Sequence, residues 1–122
     1  MSRQTFPTWV DQPGSIFSVV KVTGASVSTG AQSTAGLDGR GANFCTIARA
    51  ANVYTVTFLV GYADAPYVFF DPITTNVAID NPVITANGMV FSTQLRDDHT
   101  TASNTPDFQF IVCHFNTVNY VS

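Results

Sequence analysis

The stretch 53-VYTVTFLVGYADAPYVFF-70 is apolar almost throughout, is dense in aromatic residues, and contains a single carboxylate, Asp64. In its first half, Tyr54, Val56 and Phe58 alternate with smaller polar residues. Side chains alternate between the two faces of a strand, so this period of two predicts a strand with one buried face. The stretch raises the question of whether it lines a pocket for chemistry or forms a wall of the fold.

Turn residues divide this stretch into two strands. The segment 61-GYADAP-66 carries Gly and Pro at its ends, which is typical of a turn. The next segment, 67-YVFF-70, is apolar on both faces and is predicted to stop at 71-DP-72. Asp at such positions satisfies turn geometry. We therefore interpret Asp64 as a turn residue rather than an acid catalyst, and the stretch as a wall.

The composition of the whole chain favours strands over helices. Its 122 residues are enough for one domain with a single core. There are sixteen Thr and fifteen Val, but three Leu, one Lys and no Glu. Leu, Lys and Glu are good helix formers, whereas Val and Thr suit a pleated surface. The sequence predicts an all-β protein.

Further strands follow from the same alternation and from turn residues. They are predicted at 16–22, 43–49, 83–96 and 108–115. The pair 43–49 and 53–60 is expected to form a hairpin around 50–52. Connections this short make neighbouring strands antiparallel, so we predict an antiparallel β-sandwich or flattened barrel of six to seven strands.

Two of these segments carry additional information. Within 83–96, Asn87-Gly88 is a strong hairpin signal because both residues tolerate the positive φ of a type I′ turn. A loop holding Asn76, Asp80, Asn81 and Pro82 is expected before this hairpin. The segment 108-FQFIVCHF-115 is apolar on both faces, which predicts a central strand or one lying between subunits.

The chain is predicted to be organised around a core at 42–117. Residues 1–15 are expected to form an extended N-terminal arm, because Pro7 and Pro13 disfavour helix and central strand. Residues 16–41 are predicted to be a strand followed by a Gly/Ser-rich excursion, with a short strand considered at 25–28. Residues 118–122 are expected to form a C-terminal tail.

Charge limits the classes of partner. Charged residues make up 11% of the chain and the net charge is −3. Phosphate binding needs a basic patch, so no nucleic-acid partner is expected. No segment reaches the roughly eighteen apolar residues of a membrane helix, and the N-terminus lacks signal-peptide features. The low charge indicates either a neutral polar surface or a surface covered by copies or partners.

Residues that could carry chemistry are few. His114 adjoins Cys113, but neighbours on a strand point to opposite faces and cannot form a nucleophile and base. Asp97-Asp98-His99 opens a polar loop, and two adjacent Asp supply only part of a cation site. Phosphate-loop, metalloprotease, nucleophile-elbow and CxxC motifs are missing from the sequence. No enzyme activity, cofactor or metal is expected. Cys45 and Cys113 are either buried free thiols or a disulfide.

The region from about 42 to 115 resembles short β modules of structural proteins in tailed bacteriophages. These modules occur in tail fibres, tail-tip proteins and small capsid-associated proteins. The resemblance lies in the order and spacing of strand and turn residues. In this chain they are Asn43-Phe44 with Arg49, Asn52 to Phe58, Tyr62 through Pro66 to Val68, Gly88 and Phe91, Asp97, and Asp107 to Val112.

The sequence departs from those modules at two points. Asn52 stands where the modules often have Gly, a change that Asn tolerates because it also adopts the left-handed conformation. Beyond Val112 the modules usually end, whereas this chain continues through 113–122. Tail-fibre modules normally follow long stalk repeats. Because this chain starts at Met1 without a stalk, we expect a free-standing decoration (cement) protein.

The resemblance implies a virion structural protein that is assembled in the host cytoplasm and binds the major capsid protein. We predict capsid contact through Phe6, Pro7, Trp9 and Val10, and contact with a neighbouring copy, in a homodimer or homotrimer, through Val118, Tyr120 and Val121. The alternative is a tail-fibre or receptor-binding module that binds host glycans. Its candidate sugar-stacking residues are Tyr62, Tyr67, Phe69 and Tyr120.

Overall fold

The computed structural model describes residues 17–59 and 61–114. The predicted arm at 1–15 and the predicted tail at 118–122 lie outside the described residues. So do all seven residues predicted to contact the capsid or a neighbouring copy. These are Phe6, Pro7, Trp9, Val10, Val118, Tyr120 and Val121.

The described part of the chain is an antiparallel β-sandwich of seven strands, which confirms the predicted fold class. The strands are β1 (Phe17–Thr23), β2 (Cys45–Ala50), β3 (Val53–Phe58), β4 (Tyr67–Pro72), β5 (Val77–Ile84), β6 (Gly88–Leu95) and β7 (Asp107–Cys113). One sheet has three strands in the order β1-β7-β4, and the other has four in the order β2-β3-β6-β5. A single 3-10 turn (Gly24–Ser26) and a short helix, α1 (Gly39–Ala42), lie between β1 and β2.

The alternation seen in the sequence decides which residues enter the core. In β3, Tyr54, Val56 and Phe58 are all buried, as their spacing predicts. β2 and β3 form the predicted hairpin, with Ala50 opposite Val53. β7 is central in its sheet, as expected, but only one of its faces is fully buried, since Gln109 and Ile111 on the other face are half-buried and Asp107 is exposed.

Aromatic rings join the two sheets. Phe91 of the four-stranded sheet stacks on Tyr54 at a centroid distance of 5.6 Å. The same ring meets Phe108 of the three-stranded sheet edge-on at 5.5 Å and lies 4.9 Å from Phe70. Offset and edge-on ring pairs of this kind add to the stabilisation from buried area. The aromatic cluster therefore packs the two sheets directly against each other.

The Gly/Ser-rich excursion closes one side of the sandwich. Residue Leu37 forms a bridge with Val22 of β1, and the Thr23 amide donates to the Gly36 carbonyl at 2.8 Å. Ser33 and Ile47 of β2 exchange two backbone hydrogen bonds of 2.8 and 3.1 Å. The excursion thus covers the outer edges of both β1 and β2. The prediction of a short strand at 25–28 is wrong, because Gly24–Ser26 is a 3-10 turn.

Two strand boundaries differ from the sequence-based expectation. β5 begins at Val77, where a loop is predicted, because Asn81 and Pro82 form a bulge inside the strand rather than ending it. Asn81 has a φ of 53°, and Pro is tolerated at such bulges. β4 likewise runs through Asp71 to Pro72. It is an edge strand, where Pro removes no obligatory hydrogen bond.

The hairpin between β5 and β6 is present, but its predicted turn type is wrong. Neither Asn87 nor Gly88 has a positive φ, so the turn is not type I′. The Thr85 amide donates to the Gly88 carbonyl at 2.8 Å, and the Thr85 hydroxyl accepts from the Asn87 amide at 3.3 Å. In the β2–β3 turn, positive φ falls on Ala51, at 54°, rather than on Asn52.

Core pairing also extends the sandwich towards the N-terminus. β1 pairs with β7 along its whole length, from Phe17 opposite Cys113 to Thr23 opposite Asp107. Val20 and Val22 of β1 are fully buried. The core therefore includes β1, whereas the sequence predicts a core that begins at residue 42.

Candidate functional site

The outer side of the three-stranded sheet carries two exposed aromatic residues, Tyr67 and Phe69. Strand register aligns Val19, Ile111 and Phe69 in one row across β1, β7 and β4. Phe69 is 59% exposed, although it is apolar. The neighbouring row is polar and contains Lys21, Gln109 and Asp71. We call these six residues the Phe69 face.

The polar row of the Phe69 face is ordered by a side-chain contact. The Gln109 amide donates to Asp71 Oδ2 at 2.7 Å. Lys21 and Asp71 stand at opposite edges of the sheet, on β1 and β4, and both are exposed. The Phe69 face is thus an apolar row beside a polar row with one charge of each sign.

The outer side of the four-stranded sheet is also partly apolar. Val83 is 62% exposed, and Val53 and Val90 are each 40% exposed. Thr55 and Thr57 lie between them on β3. We call these five residues the Val83 face. A shallow depression of about 270 Å³ opens on it, next to the side-chain-free Gly88. Isolated exposed apolar residues are ordinary, but grouped ones mark contact surfaces.

His114 and Asp64 form a pair that could suggest acid–base chemistry. His114 Nε2 lies 2.7 Å from Asp64 Oδ1. The imidazole is buried, whereas the carboxylate is exposed. Tyr62 stacks on the imidazole at a centroid distance of 4.5 Å. The contacts fasten the turn after β3 to the end of β7, so Asp64 does more than satisfy its own turn.

Neither cysteine is suited to nucleophilic chemistry. Cys45 and Cys113 are both buried and free, which agrees with the first of the two predicted alternatives. Burial, with a smaller contribution from the Asp38 carboxylate, raises the pKa of the Cys45 thiol to about 12. Burial also raises the pKa of Cys113. Since the thiolate is the reactive form, both groups are held in their inert form at neutral pH.

The loop after β6 is held by hydrogen bonds that involve Asp80 of β5 and the loop's own carboxylates. His99 Nδ1 lies 2.9 Å from Asp80 Oδ2, and His99 has a φ of 55°. Asp97 accepts a hydrogen bond from the Asn76 amide group at 3.2 Å. Among residues 17–59 and 61–114, no group of three or more His, Cys, Asp or Glu side chains is placed to hold a metal ion.

Asp98 gives this loop a testable pH dependence. Its carboxylate accepts from the Thr101 hydroxyl at 2.5 Å and from the Thr101 and Thr100 amides at 2.9 Å. These hydrogen bonds lower the pKa of Asp98 from 3.8 to about 2, and the bond from the Thr101 hydroxyl has the largest effect. A lowered folded-state pKa means that the charged form stabilises the folded loop above the unfolded pKa. This stabilisation is lost as the pH falls through the folded pKa.

We expect the Thr101 amide resonance to titrate with a midpoint near 2 in the wild-type protein. Asp98→Asn is expected to abolish this titration, because the amide side chain has no proton to gain in that range. NMR spectra recorded from neutral pH downwards measure it. Asp97→Asn is the matched control and leaves the Thr101 titration in place. A wild-type midpoint at the ordinary value of 3.8 would contradict the assignment.

The class of this protein rests on its structure, because comparisons with known proteins give no match. The fold and surface define an all-β sandwich with exposed apolar faces on both sheets. Comparison with known protein families finds no match, and neither curated proteins nor solved structures give a significant match. In the part of the chain that the structure describes, no helix is long and apolar enough to cross a membrane.

The sequence identified part of this site. The sequence predicts Tyr67 and Phe69 as exposed aromatic residues, and both are exposed in the structure. Val19 and Ile111 are missed as surface residues, because the sequence does not say which strand lies beside β4. Tyr62 is packed against Phe58 at a centroid distance of 5.6 Å and is only half-exposed, so it is a poor platform for a sugar ring.

Proposed function

We propose that this chain is a non-catalytic virion structural protein, a capsid decoration (cement) protein of a tailed phage. In this proposal it binds the outer shell and stabilises it by clamping neighbouring capsid subunits. The observation that carries the proposal is the pair of exposed apolar faces on opposite sides of one rigid sandwich. Phe69 on one face and Val83 on the other are each more than half exposed.

Two opposed contact faces suit a protein that sits between other subunits. A small monomer normally solvates its surface with charged residues, but here charged residues are only 11% of the chain. A cement protein touches the shell on one side and a neighbouring copy on another. The resemblance of residues 42–115 to modules of tailed-phage structural proteins supports the virion as the assembly.

The mechanism needs rigidity and many simultaneous contacts. The aromatic cluster around Phe91 provides rigidity, since it locks the two sheets together. The predicted capsid contacts Phe6, Pro7, Trp9 and Val10 would add a second point of attachment. Linking two weak contacts raises the overall affinity well above that of either one.

Deleting residues 1–15 is expected to weaken binding to purified particles of the phage whose genome encodes this chain. The reason is that the predicted arm supplies one of two linked contacts, and their linkage is worth roughly 10²–10⁴ in affinity. Co-sedimentation with particles measures the effect, after labelling in electron microscopy has located the protein on the capsid. The combined Thr5→Ala and Thr8→Ala variant, in the same segment, serves as the control.

The results of this experiment distinguish the role of the arm from the role of the whole protein on the capsid. Unchanged binding after deletion would contradict the role of Phe6 and Trp9 but leave capsid attachment standing. A protein that labels the tail rather than the capsid, or labels no particle, would contradict the decoration role.

A tail-fibre or receptor-binding module is the second candidate. The observation that favours it is the exposure of two aromatic rings on β4, at 63% for Tyr67 and 59% for Phe69. Exposed aromatic faces can stack on sugar rings. Reproducible binding to a glycan array that is lost in Tyr67→Ala and Phe69→Ala variants would favour this candidate. Binding that survives both changes would speak against it.

A further inference from the structure

The charges on the Phe69 face are separated within one chain. Lys21 on β1 and Asp71 on β4 occupy the same row, with Gln109 of β7 between them. Two strand spacings separate their backbones, which is about 9–10 Å. In the described part of the chain, the ion pairs involve His99 and His114 and not Lys21. The face therefore presents one cation at one edge and one anion at the other, and the exposed Asp107 of β7 lies one row beyond Gln109, where its Oδ1 accepts from the Gly24 amide at 3.2 Å.

We propose that the Phe69 face is a self-complementary interface that joins two copies of this chain about a twofold axis parallel to its strands. Such a rotation turns the second face over and exchanges its edges, so that β1 of one copy lies over β4 of the other. Each Lys21 then faces the Asp71 of the partner copy. Two symmetric ion pairs form, which is the repetition that an isologous interface requires.

Charge selects this axis over the other one that lies in the plane of the sheet. A twofold axis that runs across the strands, through the polar row, would place the two Lys21 side chains opposite each other. It would do the same with the two Asp71 side chains. Like charges set against each other in an interface are strongly unfavourable. The axis parallel to the strands avoids both repulsions, and the only carboxylate among the described residues that it sets opposite its own copy is Asp107 on the central strand, which accepts from the Gly24 amide.

Side-chain size supports the same axis. The apolar row runs from Val19 at one edge through Ile111 to Phe69 at the other. After the rotation, the large Phe69 ring meets the small Val19 of the partner copy, and the two Ile111 side chains meet on the axis. Large residues opposite small ones allow two sheets to pack closely, at the usual separation of about 10 Å. The rotation thus matches both charge and volume.

The inference deepens the proposed function, because it names the surface by which copies of the protein would associate, and solution mass tests it without any capsid. The 122-residue chain is expected to have twice its monomer mass of 13.1 kDa in light scattering or sedimentation equilibrium. Measurements should run from micromolar to millimolar protein. A chain that stays monomeric across that range would overturn the proposal.

Charge reversal tests the axis itself. Lys21→Asp alone and Asp71→Lys alone are each expected to weaken the dimer at least about tenfold, because like charges then face each other. The double variant restores two opposite-charge pairs and is expected to return to the dimer mass. Single variants that keep the dimer mass, or a double variant that fails to recover it, would overturn the proposed axis.

Controls separate association from folding. Val83→Asp changes a residue on the opposite face that is 62% exposed, and it is expected to leave the dimer intact. Circular dichroism and thermal unfolding check that each variant is folded. If a charge-reversal variant does not fold, the variant with both Lys21→Ala and Asp71→Ala replaces it. Loss of the dimer in Val83→Asp alone would overturn the choice of face. A dimer that fails to bind particles would contradict the proposed function and leave the interface standing.

Discussion

Replacing Phe91 by alanine is expected to lower the free energy of unfolding by about 3–5 kcal/mol. Phe91 is 1% exposed and contacts rings from both sheets. Its removal leaves a cavity between the sheets that the surrounding rigid rings cannot fill. A small domain has only about 5–15 kcal/mol of stability in total, so this single change consumes a large part of it.

Denaturant unfolding followed by circular dichroism measures the loss as a lower midpoint at an unchanged slope. Val90→Ala is the matched control, since Val90 precedes Phe91 on β6 but faces outwards and is 40% exposed. Surface changes of this kind usually shift stability by less than about 0.5 kcal/mol. Equal losses in the two variants would contradict the placement of Phe91 between the sheets.

The period-two signal explains why the fold class could be predicted. Burial in β3 depends only on local alternation, and the residues that alternate there are the ones found in the core. Pro and Asn are less reliable as signals that a strand ends. Asn81-Pro82 resembles a loop in the sequence, yet β6 supplies a partner on both sides of it, and the strand continues through a bulge. Tertiary pairing overrides the local signal at that point.

The candidate site depends on neighbours that no local pattern gives. Val19, Phe69 and Ile111 share a row only because β7, the last strand of the described residues, inserts between β1 and β4. Likewise, Asp64 and His114 are fifty positions apart and meet at 2.7 Å. The strand order sets both contacts, and alternation within each strand says nothing about that order. Residues 1–16 and 115–122, which carry the predicted capsid and neighbour contacts, lie outside the described residues.

The two exposed faces have different chemistry, and this difference gives them different roles in the proposed assembly. The Phe69 face carries opposite charges at its two edges, so it can match a copy of itself. The Val83 face consists of Val and Thr and carries no charge. A neutral face of this kind can lie on a shell subunit without the desolvation of charged groups, which is costly. We therefore propose self-association for the first face and shell contact for the second.

Replacing Gly88 by alanine provides a second large effect, and here two principles predict opposite signs. Gly inside a strand usually costs about 0.5–1 kcal/mol relative to Ala, so propensity alone predicts stabilisation. A Cβ at Gly88, however, would lie 2.2 Å from the Val56 carbonyl oxygen of the neighbouring strand. That contact is with backbone, so β3 and β6 would have to move apart. Overpacking of this kind costs about 1–3 kcal/mol, and we expect Gly88→Ala to destabilise the protein by that amount.

Gly39→Ala is the control that isolates the close approach from the general effect of removing a glycine. A Cβ at Gly39, in α1, would meet no atom within 4 Å, so this variant is expected to gain up to about 1 kcal/mol. Gly24→Ala should behave like Gly88→Ala, because its Cβ would lie 2.1 Å from the Pro106 carbonyl oxygen. Thermal and denaturant unfolding of the three variants decide the sign. Stabilisation by Gly88→Ala would show that β3 and β6 do not approach as closely as the structure has them, and would assign Asn87-Gly88 to turn formation alone.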